Sequence, residues 1–245
     1  MPHREYIRIV PGAKTAVLMV HGIVGTPRHF DFLLDLIPEE ISVRNILLAG
    51  HGGKVPCFSQ ASMKAWRAQV KNALEDLCQD HEQVFVVAHS MGTLLTAEAS
   101  CQFPQVKGML YLNVPLRIQL APGMMTASLR WCFGRLRPDH PKEQALGHSA
   151  GVEPDPRLWL YLGWLPRFWE LFLLSRSSRR LMEQLKLPVF VFLSHDDEVV
   201  RRSTAKHLAK NPNIQYTMLP GCGHFYYTAA AVDQMRSAFQ QLLEL

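Results

Sequence analysis

The 245-residue sequence lacks several features that mark specialised classes of protein. It has no Cys-x-x-Cys pair, and its five scattered cysteines fit no closed disulfide framework, so we expect reduced cysteines that mostly serve packing. No apolar stretch of signal-peptide length follows the polar first residues, which predicts a cytoplasmic protein. There is also no dense basic run with interleaved aromatic residues, which argues against nucleic-acid binding.

Long apolar runs without charge are scarce as well. The segment 158–174 is apolar enough to raise the question of a membrane span, but Pro166, Arg167 and Glu170 lie near its middle, where charge is costly in lipid. The hydrophobic content of 48% and a mean hydropathy near zero are typical of a globular protein with a sizeable core. The length fits one domain that carries an insertion.

Short apolar runs alternate with helix-like stretches along most of the chain. The runs that predict strands are 15–20, 42–48, 83–88, 108–112, 188–193 and 214–219. Between them, apolar residues recur at helical spacing, for example Trp66, Val70 and Leu74, and later Met235 and Phe239. This alternation predicts a mainly parallel sheet with helices on both faces, in which ligands bind at the carboxyl ends of the strands.

The alternation breaks at 115–185. This stretch holds four of the five tryptophans and ten Arg or Lys residues against six Asp or Glu, so it carries most of the net charge of +5. We predict an inserted helical cap here, with the core formed by 1–114 and 186–245. A solvated helical surface is the ordinary explanation of such a charge bias, although the arginines would also attract an anionic head group or a lipid surface.

Ser90 lies where the predicted strand 83–88 gives way to a helix-forming run. Small residues two positions before and two after the serine, here Ala88 and Gly92, are what a nucleophile elbow needs to avoid collisions. The helix that follows directs its positive N-terminal end at negative charge forming beside the hydroxyl. A buried strand that ends in an ordinary glycine turn would give the same local pattern. The other motifs are therefore needed to distinguish a nucleophile elbow from such a turn.

A glycine loop follows the strand 15–20 and contains Gly22, Ile23 and Gly25. Acyl transfer needs two preorganised donors for the oxyanion, and losing one costs about 100-fold or more in rate. We predict that the backbone N–H groups of Ile23 and Met91 are these donors. His21, at the start of the loop, is predicted to support it through hydrogen bonds.

Two later strands end in residues suited to acid–base chemistry. Asp196 and Asp197 follow one strand, and His224 lies in a glycine loop after the next. A serine hydroxyl needs a general base, and a carboxylate orients that base. We therefore predict His224 as the base and Asp197, ahead of Asp196, as its partner. Taken alone, each of these residues also fits a position in a turn or on the surface. His51 and His89 are predicted only to support the catalytic residues.

The order glycine loop, serine, acid, histidine resembles the α/β-hydrolase superfamily, most closely its small carboxylesterase and monoacylglycerol lipase branch. The residues that carry the resemblance are His21-Gly22-Ile23-Val24-Gly25-Thr26-Pro27, Gly50-His51-Gly52, Ala88-His89-Ser90-Met91-Gly92, Asp197-Glu198-Val199-Val200 and Gly223-His224. The resemblance implies a Ser90–Asp197–His224 triad, ester hydrolysis through an acyl-enzyme, and no metal or organic cofactor. Ala88 replaces the first glycine of the elbow, and the short N-terminal segment predicts an α/β-hydrolase sheet reduced to about six or seven strands.

Several substrates remain open at this point. The apolar residues of the cap favour a small-molecule ester with an apolar acyl group, medium-chain or monoacylglycerol-like, but they would equally form the cap's own core. The cap arginines make a lysophospholipid a further candidate. A thioesterase, carbon–carbon hydrolase or peptidase would use the same catalytic residues, and a non-catalytic binding protein would retain the fold alone.

Overall fold

A computed structural model describes residues 3–245, in which seven strands form one sheet of order β1-β3-β2-β4-β5-β6-β7. The strands are β1 (Tyr6–Arg8), β2 (Thr15–Val20), β3 (Ser42–Ile46), β4 (Gln83–His89), β5 (Val106–Leu112), β6 (Val189–Ser194) and β7 (Ile214–Leu219). Neighbouring strands are parallel except for β1 and β3, which are antiparallel. The prediction of a mainly parallel sheet of six or seven strands is confirmed.

Helices cover both faces of the sheet. In the described chain they are α1 (Asp31–Leu34), α2 (Val55–Gln60), α3 (Met63–Asp80), α4 (Met91–Ser100), α5 (Pro122–Cys132), α6 (Pro141–Ser149), α7 (Leu165–Gln184), α8 (Ala205–Leu208) and α9 (Ala229–Leu243). Short 3₁₀ helices occupy Pro27–Phe30, Leu158–Trp164 and Arg202–Thr204. The helices α3 and α4 pack on one face of the sheet, and α1 and α9 pack on the other.

The alternating side chains of β2 divide the core into these two layers. Ala16, Leu18 and Val20 pack toward α3 and α4, whereas Val17 and Met19 pack toward α1 and α9. All five side chains are completely buried. A strand covered on both faces reads as a continuous apolar run, which is why its bounds match the prediction.

The predicted apolar face of α3 is buried against the sheet at Trp66, Val70 and Leu74. The helix begins after Ser62, whose hydroxyl accepts a hydrogen bond from the Ala65 N–H at 3.1 Å. The apolar face of α9 is buried in the same way. Both predicted amphipathic helices are therefore present.

The strand β1 is not predicted by the sequence pattern. It is a three-residue edge strand in which Tyr6 and Ile7 are largely exposed, so no apolar alternation marks it. Arg8 holds it in place, because its guanidinium donates to the backbone carbonyls of Ile37 and Ile41.

The stretch 115–185, predicted to be an insertion, carries α5, α6 and α7. Two extended segments tie it to the core: Ile118 pairs antiparallel with Val200, and Glu153 pairs parallel with Lys54. The helix α7 packs against α3 and α4 and so extends the helical layer of the core. The cap boundaries at 114 and 186 stay a prediction. In residues 3–245, every helix is too short or too polar to cross a lipid bilayer.

Candidate active site

Ser90 lies at a sharp turn between β4 and α4. Its φ of 51° and ψ of −123° are strained for a residue with a side chain, a strain that costs about 1–3 kcal/mol. Two hydrogen bonds hold the turn: the Ser90 N–H donates to the Leu112 carbonyl at 2.9 Å, and the Thr93 hydroxyl donates to the Ser90 carbonyl at 2.7 Å. A Cβ on Gly92 would collide with the Val20 carbonyl oxygen, so only glycine fits there.

The side chains of Ser90, His224 and Asp197 form one hydrogen-bonded row. Ser90 Oγ is 3.1 Å from His224 Nε2, and His224 Nδ1 is 2.9 Å from Asp197 Oδ2. All three residues are buried. Asp197 Oδ1 also accepts the N–H groups of Val199 and Val200, both at 2.7 Å, which fixes the carboxylate. Because a carboxylate only accepts, Nδ1 carries the ring proton and Nε2 is free to accept from Ser90.

Asp196, the second candidate for the acid, has a different partner. Its carboxylate pairs with His195 Nδ1 at 2.8 Å on the protein surface. That contact lowers the pKa of Asp196. The structure therefore places Asp197, and not Asp196, beside His224.

The backbone of His224 is held by three further side chains. Its N–H donates to Glu198 Oε2 at 2.9 Å, and its carbonyl accepts from Asn113 Nδ2 and from His89 Nε2, both at 3.1 Å. Asn113 has a φ of 52°, which asparagine tolerates better than most residues, and its Oδ1 accepts the Ser194 N–H. The sequence predicts support from His89 but not from Asn113 or Glu198. The position of Asn113 directly after β5 is the signal that would have found it.

Two buried imidazoles, those of His29 and His89, pack beside His224. The rings of His29 and His89 are 3.8 Å apart, and those of His89 and His224 are 4.8 Å apart, measured between centroids. Burial, with a smaller contribution from His224, lowers the pKa of His29 to about 3. Burial and the neighbouring His29 lower the pKa of His89 well below its usual value. The rings of His29 and His89 are therefore neutral near pH 7, and neither adds a positive charge beside His224.

His21 supports the glycine loop, as its position predicts. Its Nε2 accepts the Leu48 N–H at 3.0 Å, so Nδ1 carries the proton and donates to the Gly22 carbonyl at 2.8 Å. Burial lowers the pKa of His21 well below its usual value. His51 lies edge-on to this ring, with centroids 4.7 Å apart, and burial lowers its pKa to about 4.

The two predicted oxyanion donors lie in chain segments that meet at Ser90. Met91 is the first residue of α4, where an N–H group has no partner within the helix. Ile23 follows Gly22, and a Cβ on Gly22 would lie 2.8 Å from Ser90 Cβ, so this loop passes directly beside the serine. The next residue, Val24, has a strained φ of 55°. The assignment of the two N–H groups as oxyanion donors stays a prediction.

This arrangement suits nucleophilic attack. A hydroxyl hydrogen-bonded to an imidazole can give up its proton as it attacks a carbonyl, and the carboxylate stabilises the imidazolium that forms. Within residues 3–245, no group of three or more His, Cys, Asp or Glu side chains is arranged to hold a metal ion.

Known proteins of similar sequence and structure share this fold. The sequence profile of the alpha/beta hydrolase family matches residues 17–237. The chain is similar to the thermostable monoacylglycerol lipase of Bacillus sp. (strain H-257), with 25% identity over 186 residues that cover 75% of this chain and 71% of that one. It is also similar to a solved structure reported for the metagenome-derived lipolytic enzymes LipS and LipT, with a TM-score of 0.74 and 19% identity over 100% of this chain and 98% of that one. A soluble variant of the Saccharomyces cerevisiae monoglyceride lipase, solved with a substrate analog, gives a TM-score of 0.69 and 13% identity over 98% and 90% of the two chains. The profile match spans most of the sequence, so the resemblance is confirmed and the chain belongs to the alpha/beta hydrolase family.

Proposed function

We propose that the protein is a serine hydrolase that cleaves carboxylic esters through an acyl-enzyme. The observation that carries this proposal is the row of hydrogen bonds from Ser90 Oγ through His224 to Asp197, placed at a strained strand-to-helix turn. The lipolytic relatives support esters as the substrate class.

The proposed mechanism assigns one role to each group. His224 takes the proton of Ser90 as the hydroxyl oxygen attacks the ester carbonyl, and the N–H groups of Ile23 and Met91 stabilise the oxyanion. His224 then gives that proton to the leaving alcohol. Water attacks the acyl-enzyme with His224 again as base, which releases the acid and restores Ser90. Asp197 keeps the imidazole in the required tautomer throughout.

We further propose a substrate with an apolar acyl group, medium-chain or monoacylglycerol-like. Not all the aromatic residues of the cap region are available to contact the acyl group. The Trp164 ring packs against Phe58 with the ring centroids 4.7 Å apart, and its indole N–H donates to the Val55 carbonyl at 3.1 Å, so it attaches the cap region to α2. Support for the apolar acyl group comes instead from the monoacylglycerol lipase relative. The exposed surface of α7 supports a separate proposal, that the protein contacts a lipid surface.

That surface, which we call the α7 face, consists of Leu165, Trp169, Phe172 and Leu173. Leu165 and Trp169 are each 61% exposed, although surface apolar residues in a monomer are usually scattered. The guanidinium of Arg176 lies 5.7 Å from the centre of the Phe172 ring, which adds a cation to the apolar face. An anionic lipid surface matches this combination of exposed aromatic and cationic groups.

The test of the activity is a series of ester substrates of increasing acyl length, with Ser90→Ala as the control. We expect hydrolysis with an optimum above short chains, and loss of activity in the variant. Full activity in Ser90→Ala would disprove the nucleophile, and a short-chain optimum would disprove the apolar acyl group. Matched thioester and amide substrates identify the alternative hydrolase classes. Failure of a fluorophosphonate probe to label Ser90 would indicate a non-catalytic binding protein.

The test of the lipid contact is sedimentation with vesicles of anionic or zwitterionic phospholipid. We expect the protein to bind the anionic vesicles and a Leu165→Ser/Trp169→Ser variant to lose this binding, with hydrolysis of a soluble short ester unchanged. Tyr216→Ser, which removes an exposed aromatic side chain from β7, is the matched control and should bind as the unmodified protein does. A dimer that dissociates on substitution, without vesicle binding, would assign the α7 face to self-association instead.

A further inference from the structure

Glu198 connects the base His224 to the inserted helices. Its Oε2 accepts the backbone N–H of His224 at 2.9 Å, and its Oε1 lies 3.1 Å from Lys142 Nζ. Lys142 belongs to the first turn of α6. One carboxylate therefore contacts both the loop that carries the base and a helix of the cap region.

The contact with His224 is built into the loop. A Cβ on Gly223 would lie 2.9 Å from Glu198 Oε2, so glycine at this position lets the carboxylate reach the neighbouring N–H. On its other side the His224 carbonyl is held by Asn113 and His89. With the ring fixed by Asp197, Glu198 completes a set of contacts that restrains the imidazole in position and in tilt.

The contact with Lys142 is specific among the cations of this region. Arg130 and Arg137 both pair with the buried carboxylate of Glu143, at 2.5 and 2.6 Å, and this leaves Lys142 to pair with Glu198. Lys142 also donates to the Asp196 carbonyl at 3.3 Å.

A cavity of about 230 Å³ borders this ion pair and is lined by α5, α6 and Glu198. The segments on either side of α5 and α6 are fixed to the core by backbone hydrogen bonds, from the Ala121 N–H to the Glu198 carbonyl and from the Gly151 N–H to the Val24 carbonyl. The Lys142–Glu198 pair lies between these two attachments, where α6 meets the loop of the acid.

We propose that Glu198 is a positioning residue for His224, and that Lys142 couples the position of α6 to the orientation of the His224 imidazole. The inference rests on the proposed function, because it assumes that His224 acts on Ser90. Glu198 itself touches neither the hydroxyl nor the predicted oxyanion donors. Its effect should therefore fall on turnover and leave substrate binding nearly unchanged.

The test compares three variants by kcat and KM for a soluble ester. Glu198→Ala removes both contacts, and we expect kcat to fall by about 10- to 100-fold with KM nearly unchanged, since a small misplacement of a catalytic group has effects of this size. Glu198→Gln keeps an amide oxygen that accepts the His224 N–H, so it should recover most of kcat. Lys142→Gln removes only the coupling to α6 and should lower kcat less than Glu198→Ala does.

The double variant Glu198→Ala/Lys142→Gln should be no slower than Glu198→Ala alone, because Lys142 acts through Glu198. Glu183→Ala is the matched control: Glu183 pairs with Lys210 and His207 on the surface, and its loss should leave kcat unchanged. Unchanged kcat in Glu198→Ala, or equal losses in Glu198→Gln and Glu198→Ala, would overturn the proposal. Additive losses in the double variant would overturn the role of Lys142.

A second readout does not depend on activity. The Nδ1 proton of His224, hydrogen-bonded to Asp197, should give a downfield proton NMR signal, identified by its loss in His224→Gln. We expect this signal to broaden in Glu198→Ala and to persist in Glu198→Gln. If the unmodified protein hydrolyses no ester, the proposed function fails while this signal still tests the positioning. A sharp, unshifted signal in Glu198→Ala would overturn the positioning role.

Discussion

Gly151 donates its backbone N–H to the carbonyl oxygen of Val24 across 2.7 Å, and this contact joins the predicted insertion to the proposed oxyanion loop. Val24 has a φ of 55°, and such strain in a β-branched residue costs about 1–3 kcal/mol. The Gly151 carbonyl in turn accepts the Gly52 N–H at 2.6 Å. Gly151 is thus clamped between two core loops and stabilises a loop conformation that is unfavourable by itself.

The first prediction is that Gly151→Ala lowers kcat/KM for an ester by at least about 10-fold, since loss of one oxyanion donor costs about 100-fold or more. The new Cβ would collide with the Gly25 carbonyl, and any relief moves the loop that carries Ile23. Gly123→Ala is the matched control, because a Cβ at Gly123 has no atom within 4 Å among the surroundings described, and it should retain full activity. A fully active Gly151→Ala would contradict the coupling.

The second prediction concerns the strain at Ser90. Ser90→Ala and Ser90→Gly both remove the hydroxyl, but only glycine adopts a φ of 51° without strain, so Ser90→Gly should melt at a higher temperature than Ser90→Ala. The same pair of substitutions at Ser177, an exposed residue within α7, is the control and should give the opposite order. The melting temperatures of the four variants decide the matter, and a less stable Ser90→Gly would contradict a strained elbow.

The sequence predicts the fold well wherever a strand is buried on both faces. The segment 15–20 is found with the predicted bounds, and the predicted segment 83–88 is found as Gln83–His89. The edge strand β1 is missed because its pairing partner lies on one side and its side chains face solvent, so its signal is not in its own residues. The local sequence pattern reports how far side chains are buried, and the short edge strand β1 buries little of its side chains.

The candidate site likewise contains residues that the sequence predicts and residues that it does not. Ser90, Asp197 and His224 each end or follow a parallel strand, so topology alone brings them to one edge of the sheet. Asn113 and Glu198 contact His224 across 111 and 26 residues, and no spacing rule connects such pairs. The position of Asn113 directly after β5 places it at the same edge of the sheet, but its contact with the His224 carbonyl is decided by tertiary packing, which only the structure shows.

The third prediction is that the free energy of unfolding decreases as the pH falls below 6.5. Burial lowers the pKa of His51 from 6.5 to about 4, so the unfolded chain binds a proton that the folded chain rejects between these values. The stability that this histidine contributes is complete above pH 6.5 and is lost as the pH falls to about 4, at about 1.4 kcal/mol per pH unit. Burial lowers the pKa of His29 in the same direction.

Urea unfolding followed between pH 4 and pH 6.5 measures this slope. His51→Gln keeps a donor for the Leu48 carbonyl but cannot titrate, so its slope should be smaller by about one proton. Phe58→Leu, next to His51 in the core, is the matched control: it should lower stability at every pH without changing the slope. An unchanged slope in His51→Gln would contradict the buried neutral ring.

The fourth prediction is that Glu143→Gln loosens α5 and α6 while the sheet stays intact. The carboxylate of Glu143 lies buried between two guanidinium groups, and its hydrogen bonds, chiefly with Arg130 and also with Arg137, lower its pKa to about 2. An amide leaves both cations without a countercharge, so amide hydrogen exchange should become faster by about 10-fold in α5 and α6 and stay unchanged in β4.

The pH dependence of amide exchange in α5 and α6 is a second, independent measurement of the role of Glu143. Because the pKa of Glu143 is lowered from 4.5, the stability that the carboxylate contributes is complete above pH 4.5 and is lost as the pH falls toward 2. The difference in amide exchange rate between Glu143→Gln and the unmodified protein should therefore become smaller as the pH falls from 4.5 toward 2. Glu75→Gln, an exposed position on α3, is the matched control and should change neither helix. Equal exchange in Glu143→Gln and the unmodified protein at neutral pH would show that the arginines do not depend on this carboxylate.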